Sequence, residues 1–153
     1  MKKQVLIISI VSFFLDRLTK FLAGKYLKFK TINIISGFFS LRYAENKGAA
    51  FSILSSGNEI LRKIFLLAIP IIVAGWIVYY VLTKEIENKR LRWGLGLILG
   101  GALGNLYDRI VYGKVVDFLD FYVSSYHWPT FNLADTFVFL GCVLVILSQS
   151  KTD

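Results

Sequence analysis

Asp108, Asp117 and Asp135 stand in or against the most apolar part of this chain, within GALGNLYDR (101–109), VVDF (115–118) and FNLAD (131–135). A carboxylate beside hydrocarbon is costly, so an acid at membrane depth points to function first. Two such acids meeting at one point would form a proton-cycling pair, able to activate water and protonate a leaving amine without a metal or a nucleophilic side chain. Asp117 follows Val115-Val116 and precedes Phe118-Leu119. Apolar neighbours restrict its water, and burial together with a nearby second carboxylate raises a carboxyl pKa. Asn132 and Asp135, three apart, suit the first turn of a helix, with Asn132 as cap and Asp135 stabilised as an anion by the helix dipole. Alone, that pair is an ordinary helix start. With Asp117 on the same face, the two acids meet surroundings that push their pKa values apart.

Two further sets of polar residues interrupt apolar sequence. Asn105 and Asp108 share a helix face, with Arg109 adjacent, and the glycines from Gly94 to Gly104 allow close helix approach. Asp16 and Lys20 are four apart and can pair; such helix-end charges commonly serve structure alone. Other chemistries lack their parts. There is no GxSxG elbow and no phosphate-cradling Walker sequence. The only histidine, His127, and the only cysteine, Cys142, supply neither a nucleophile set nor a zinc site. Cys142, inside an apolar run, reads as a small buried hydrophobe. No metal and no cofactor are expected.

These residues need elements to position them. Apolar residues form 56% of the 153 and charged residues 18%, against roughly 45–50% and 25% in ordinary soluble chains. The apolar residues run in blocks long enough, with their polar ends, for spans of about 20 residues. Four transmembrane helices are expected near 4–23, 62–82, 92–110 and 133–149, giving a single all-α membrane domain over 1–153. Pro70 falls within the second, where a transmembrane helix tolerates it. Met1-Lys2-Lys3 and the apolar run after it imitate a signal peptide, but a small-x-small cleavage site is missing, so an uncleaved first span is expected.

Four spans place both termini and the segment 83–92 on one side, and the segments 24–61 and 111–132 on the other. The side holding 24–61 then gathers Asp16, Lys20, Asn105, Asp108, Arg109, Asn132 and Asp135 at helix ends, with Asn46 and Asp117 in the loops. The short basic loop and the first helix favour cytoplasmic termini, although Lys25, Lys28, Lys30 and Arg42 lie on the opposite side. Within 24–61, Ile32–Ile35 and Phe39–Tyr43 read as a small two-stranded piece. Residues 48–54 read as a short interfacial amphipathic helix. Together they would shield a site and move as a lid. The net charge of +8 lacks the aromatic-interleaved basic stripe of nucleic-acid binders. Anionic lipid is the simpler partner.

DRLTK (16–20), ENKGAAF (45–51), GGALGNLYDR (100–109), VVDF (115–118) and FNLAD (131–135) together resemble the bacterial lipoprotein signal peptidase, or signal peptidase II, family, in family order. The resemblance implies an intramembrane aspartic endopeptidase that cuts prolipoproteins just before a diacylglyceryl-modified cysteine. It implies Asp117 and Asp135 as the catalytic dyad, Asn46, Asn105, Arg109 and Asn132 as supports around substrate and dyad, and Asp16, Lys20 and Asp108 as structural groups. It also implies a small β-cradle, a monomer in the bacterial cytoplasmic membrane and an active site toward the outer face. Arg17 stands where the family often has Gln. The competing reading is a small proton- or ion-coupled transporter subunit, in which membrane carboxylates bind the moving ion.

Overall fold

The computed structural model describes residues 2–48 and 59–149. These form four helices, α1 (Lys2–Tyr26), α2 (Glu59–Thr83), α3 (Lys89–Tyr112) and α4 (Leu133–Gln149), and four strands, β1 (Ile32–Ile35), β2 (Phe39–Asn46), β3 (Val115–Val123) and β4 (Tyr126–His127). Each helix grows from an expected apolar run and extends past it into polar residues. Asn88 starts α3 by accepting hydrogen bonds from the N–H groups of Arg90 (2.9 Å) and Leu91 (3.3 Å). Gly113, left-handed at φ 67°, ends it by donating to the Arg109 carbonyl and turns the chain into β3.

α3 is the hub, packed against α1, α2 and α4. Its small face allows this. A side chain at Gly104 would collide with the Asp16 carboxylate, and one at Gly100 with the backbone around Ser9. Val5, Ala74, Ile77, Ile86, Leu95 and Leu99 form the apolar core toward the chain's N-terminal end of the bundle. At the other end Ala23, Leu27 and Phe118 join α1 to the sheet. Much of the outer surface is apolar: Phe14, Phe21, Ile72, Trp76 and Tyr79 are all more than half exposed, a display that signals contact with something other than water. Within α2, Lys63–Thr83 is long and apolar enough to cross a membrane; Leu133–Gln149 is apolar but shorter.

A small sheet is present, as expected, but with four strands rather than two. It is antiparallel, in the order β1-β2-β3-β4, and draws on both loops rather than on 24–61 alone. Val115–Val123 is rich in strand-forming side chains, but Asp117 and Asp120 break its apolar pattern. A bulge between Leu41 and Ala44 resets the pairing so that Asn46 faces Val115 and Ala44 faces Asp117. Asn46 and Asp117 thereby become diagonal neighbours on one sheet face, within side-chain reach. The expected interfacial helix over 48–54 falls, apart from Gly48, outside the described residues.

Candidate active site

Asp117 enters from β3 and is 1% exposed. Both of its oxygens are held by neutral amides: Asn46 Nδ2 donates to Oδ2 at 3.0 Å and Asn132 Nδ2 to Oδ1 at 2.7 Å. Asn46 is itself fixed, its Oδ1 accepting from the Gly48 N–H at 2.7 Å. At the start of α4, the Asn132 Oδ1 accepts from the Asp135 N–H (3.0 Å), while Asp135 Oδ2 accepts from the Asn132 N–H (3.2 Å). This is a reciprocal capping box. Asp135 Oδ1 accepts from Asn105 Nδ2 at 2.7 Å, and Asn105 Oδ1 in turn accepts from Asn132 Nδ2 at 3.1 Å. Asn105 and Asn132 therefore bridge the two carboxylates. The helix-start reading of Asn132 and Asp135 is correct, and the same hydrogen bonds belong to the network around Asp117.

Burial first of all, with a smaller push from Asp135, raises the Asp117 carboxyl to about 6, against the opposing hydrogen bonds from Asn46 and Asn132. Asp135 is only partly buried. It shares with Asp117, Asn46 and Arg109 a groove of about 1030 Å³, walled by Trp128–Phe131. A second crevice of about 500 Å³ runs between α2, α3 and α4 below Asp135, lined by Ile69, Pro70, Val73, Ile98, Val138 and Phe139, with Asn105 and Arg109 also on its wall. A polar, half-dry pair of carboxylates thus stands where an open groove meets an apolar slot.

Asp108 and Arg109 part company. Arg109 turns into the groove, while Asp108 turns away toward α1, where it pairs with Arg17 and with Lys20 Nζ at 2.9 Å. Lys20 also meets Asp16 Oδ2 at 2.8 Å and donates to Asn105 Oδ1 at 2.9 Å. Asp16 Oδ1 accepts from the Ala134 N–H at 3.0 Å, so the start of α4 is pinned to α1 as well as to α3. The structure brings every residue singled out in the sequence into one connected region: Asn46, Asn105, Asn132 and Arg109 around Asp117 and Asp135, and Asp16, Lys20 and Asp108 behind them.

Comparison with known proteins gives the family of the chain. The family described as Signal peptidase (SPase) II matches residues 8–151. The chain belongs to the signal peptidase II family. A lipoprotein signal peptidase from Syntrophus aciditrophicus (strain SB) is 37% identical, over 97% of this chain and 95% of its own. One from Sulfurihydrogenibium sp. (strain YO3AOP1) is 46% identical, over 95% and 92% respectively. Solved structures of a bacterial membrane enzyme, at 2.3 and 1.9 Å resolution, superpose with TM-scores of 0.80 and 0.82. Each is 30% identical; they align with 96% and 97% of this chain and with 87% and 94% of their own. Matches to peptidases leave the transporter reading without support.

Two features of this family member escape the sequence reading. Asp120, fully buried, accepts from Ser40 Oγ at 3.0 Å, meets His127 Nδ1 at 3.0 Å and pairs with Arg42 Nη2 at 3.4 Å. Its signal was available: it is a fourth acid in the same apolar stretch, three residues beyond Asp117. Arg17, standing where the family often has Gln, holds Asp108 and lies over the Tyr107 ring at 4.5 Å. Cys142 is a correction. It is exposed rather than buried, because its face of α4 lines the crevice below Asp135.

Proposed function

We propose that this signal peptidase II family member is an aspartic endopeptidase of the bacterial cytoplasmic membrane, and that it removes the signal peptide of diacylglyceryl-modified prolipoproteins by cutting before the modified cysteine. The observation that carries the reading is the bridged pair Asp117 and Asp135 at the junction of groove and slot. Asp117, raised to about 6 mainly by burial, serves as the acid. Asp135, on the first turn of α4 and open to the groove, serves as the base.

In the reaction, Asp135 takes a proton from water as the water oxygen attacks the scissile carbonyl carbon, and Asp117 gives its proton to the carbonyl oxygen. On collapse the C–N bond breaks. The leaving nitrogen takes the proton held by Asp135, and the former carbonyl oxygen returns its proton to Asp117. Asn46, Asn105 and Asn132 keep the two carboxyls oriented, and Arg109 faces the groove to hold substrate backbone.

The whole chain acts as one membrane domain, with four spans near 4–23, 62–82, 92–110 and 133–149, cytoplasmic termini and the sheet at the outer face. The apolar slot between α2, α3 and α4 suits a signal helix or acyl chain that remains at bilayer depth. The deciding experiment is cleavage by purified monomeric protein of a precursor carrying the diacylglyceryl group, beside the same precursor without it. Rapid cleavage of the modified form alone is expected, since a misplacement of about 1 Å can cost on the order of 10²-fold in rate. Equal rates would remove lipid-guided positioning, and no cleavage of either would remove the activity.

A further inference from the structure

A second groove, of about 490 Å³, lies between the C-terminal part of α1 and the sheet, lined by Leu22, Tyr26, Leu27, Ile32, Leu41 and Phe118. None of its lining residues belongs to the groove or the slot that contain Asp135. Among the described residues, Lys30 is the one charged residue on its wall. Around it the sequence KYLKFK (25–30) alternates lysines with large apolar side chains, and no acid occurs between Gly24 and Ala44. Lys25, Lys28 and Lys30 are exposed and enter no ion pair among the described residues. Phe29 between them is 94% exposed, and Ile32, Ile34 and Ile35 continue the apolar surface along the free edge of β1.

We propose that this groove holds an acyl chain of an anionic phospholipid, with the headgroup phosphate paired to Lys30. The apolar wall calls for hydrocarbon, and Lys30 on that wall, in no ion pair among the described residues, calls for a negative headgroup at the membrane surface. A chain gains little by leaving one apolar medium for another. Selection therefore rests on the headgroup, at about fivefold per basic residue near the phosphate. The site also gives a role to a basic residue that runs against the usual preference for cytoplasmic loops.

The test is lipid retention by the full chain in detergent, read by native mass spectrometry with phosphatidylglycerol and phosphatidylcholine of identical chains. Wild type is expected to retain phosphatidylglycerol at least about fivefold better. Lys30→Glu, at an exposed position that leaves folding intact, should bring that preference below about twofold. Lys89→Glu, on the far end of the bundle, should leave it unchanged. Leu22→Trp, which fills the groove, should lose the retained lipid of both kinds while its thermal unfolding stays cooperative. Equal retention of the two lipids by wild type, or an undiminished preference in Lys30→Glu, overturns the proposal. So does equal loss of preference in Lys89→Glu, which would mark a diffuse charge effect. The readout is binding alone and does not depend on the proteolytic reading.

Discussion

Asp108 and Asp117 are equally buried, at 1% exposure each, and the molecule treats them in opposite ways. Asp108 is met by two cations, Arg17 and Lys20, and Lys20 shares its charge with Asp16. Asp117 is met by two neutral amides, Asn46 and Asn132, with a second carboxylate, Asp135, near enough to raise its pKa. An acid met by cations on another helix holds the two helices together. An acid given only amides has both protonation states within reach, which is what proton transfer requires. Asn105 joins the two regions, accepting from Lys20 and donating to Asp135. The structural network thus sets the orientation of the reactive one.

The comparison is broken most directly by making the acids into amides. Asp117→Asn and Asp135→Asn keep shape but cannot cycle a proton, and each should lower kcat by roughly 10³-fold or more. Thermal unfolding should change less than for a paired acid, because neither carboxylate makes an ion pair among the described residues, although the charges of both act on half-buried Arg109. Near-normal turnover by either purified variant would refute the dyad. Asp108→Asn should do the reverse. Removing one partner of a buried pair costs about 3–5 kcal/mol, and denaturant unfolding should show much of that loss, with Arg17, 22% exposed, softening it. The folded fraction should cleave within about tenfold of wild type, the limit being how far Lys20 then displaces Asn105. A stable Asp108→Asn protein with no turnover would place Asp108 in the chemistry instead.

A subtler variant sharpens the contrast by leaving both acids in place. The Asn46 hydrogen bond favours the ionised form of Asp117 and lowers its pKa. Asn46→Ala should therefore raise that pKa above about 6, by up to about one unit. If Asp117 acts as the acid, the rate falls as pH rises through its pKa. The alkaline limb of the kcat/KM profile, expected near 6 in wild type, should then move upward in Asn46→Ala. A shift that appears instead on the acid limb, with the rate rising through the same raised pKa, would assign Asp117 the role of base.

Much of this was legible in the sequence, for definite reasons. Apolar runs fix the helices, and the three-residue spacings of Asn105 to Asp108 and Asn132 to Asp135 place polar groups on common helix faces. Topology alone then carries them to one end of the bundle. The sheet was legible only in part. Its β3 strand has acids at two buried positions, Asp117 and Asp120, so it lacks the apolar alternation that marked β2. Partners were harder still. Nothing local tells that Asp108 reaches back across 91 residues to Arg17, or that Arg109 beside it turns the other way. Cys142 misled because apolar surroundings in the sequence do not distinguish a packed helix face from one that lines a crevice.

Asp120 supplies a third treatment of a buried acid and the smallest of the expected effects. Its charged partners are peripheral: the side chains of His127 and Arg42 are 40% and 44% exposed, so solvent screens their contribution and about 1 kcal/mol or less is expected from either. The position of the tether gives it more consequence than its strength. β4 is two residues long and pairs only through Tyr122–His127 and Val123–Tyr126, and the chain leaving it, Trp128 to Phe131, is the wall of the groove facing Asp117 and Asp135. His127→Ala should loosen that wall while leaving the carboxylates and their amides untouched. KM should therefore rise severalfold, with kcat at saturating substrate within about twofold of wild type, the pattern of lost uniform binding. His127→Asn, which can present an N–H from nearly the position of Nδ1, should recover most of the loss. If kcat falls instead and KM holds, the Asp120 tether bears on the reacting groups themselves, and the separation drawn between charge-paired and amide-held acids would have to include a third member.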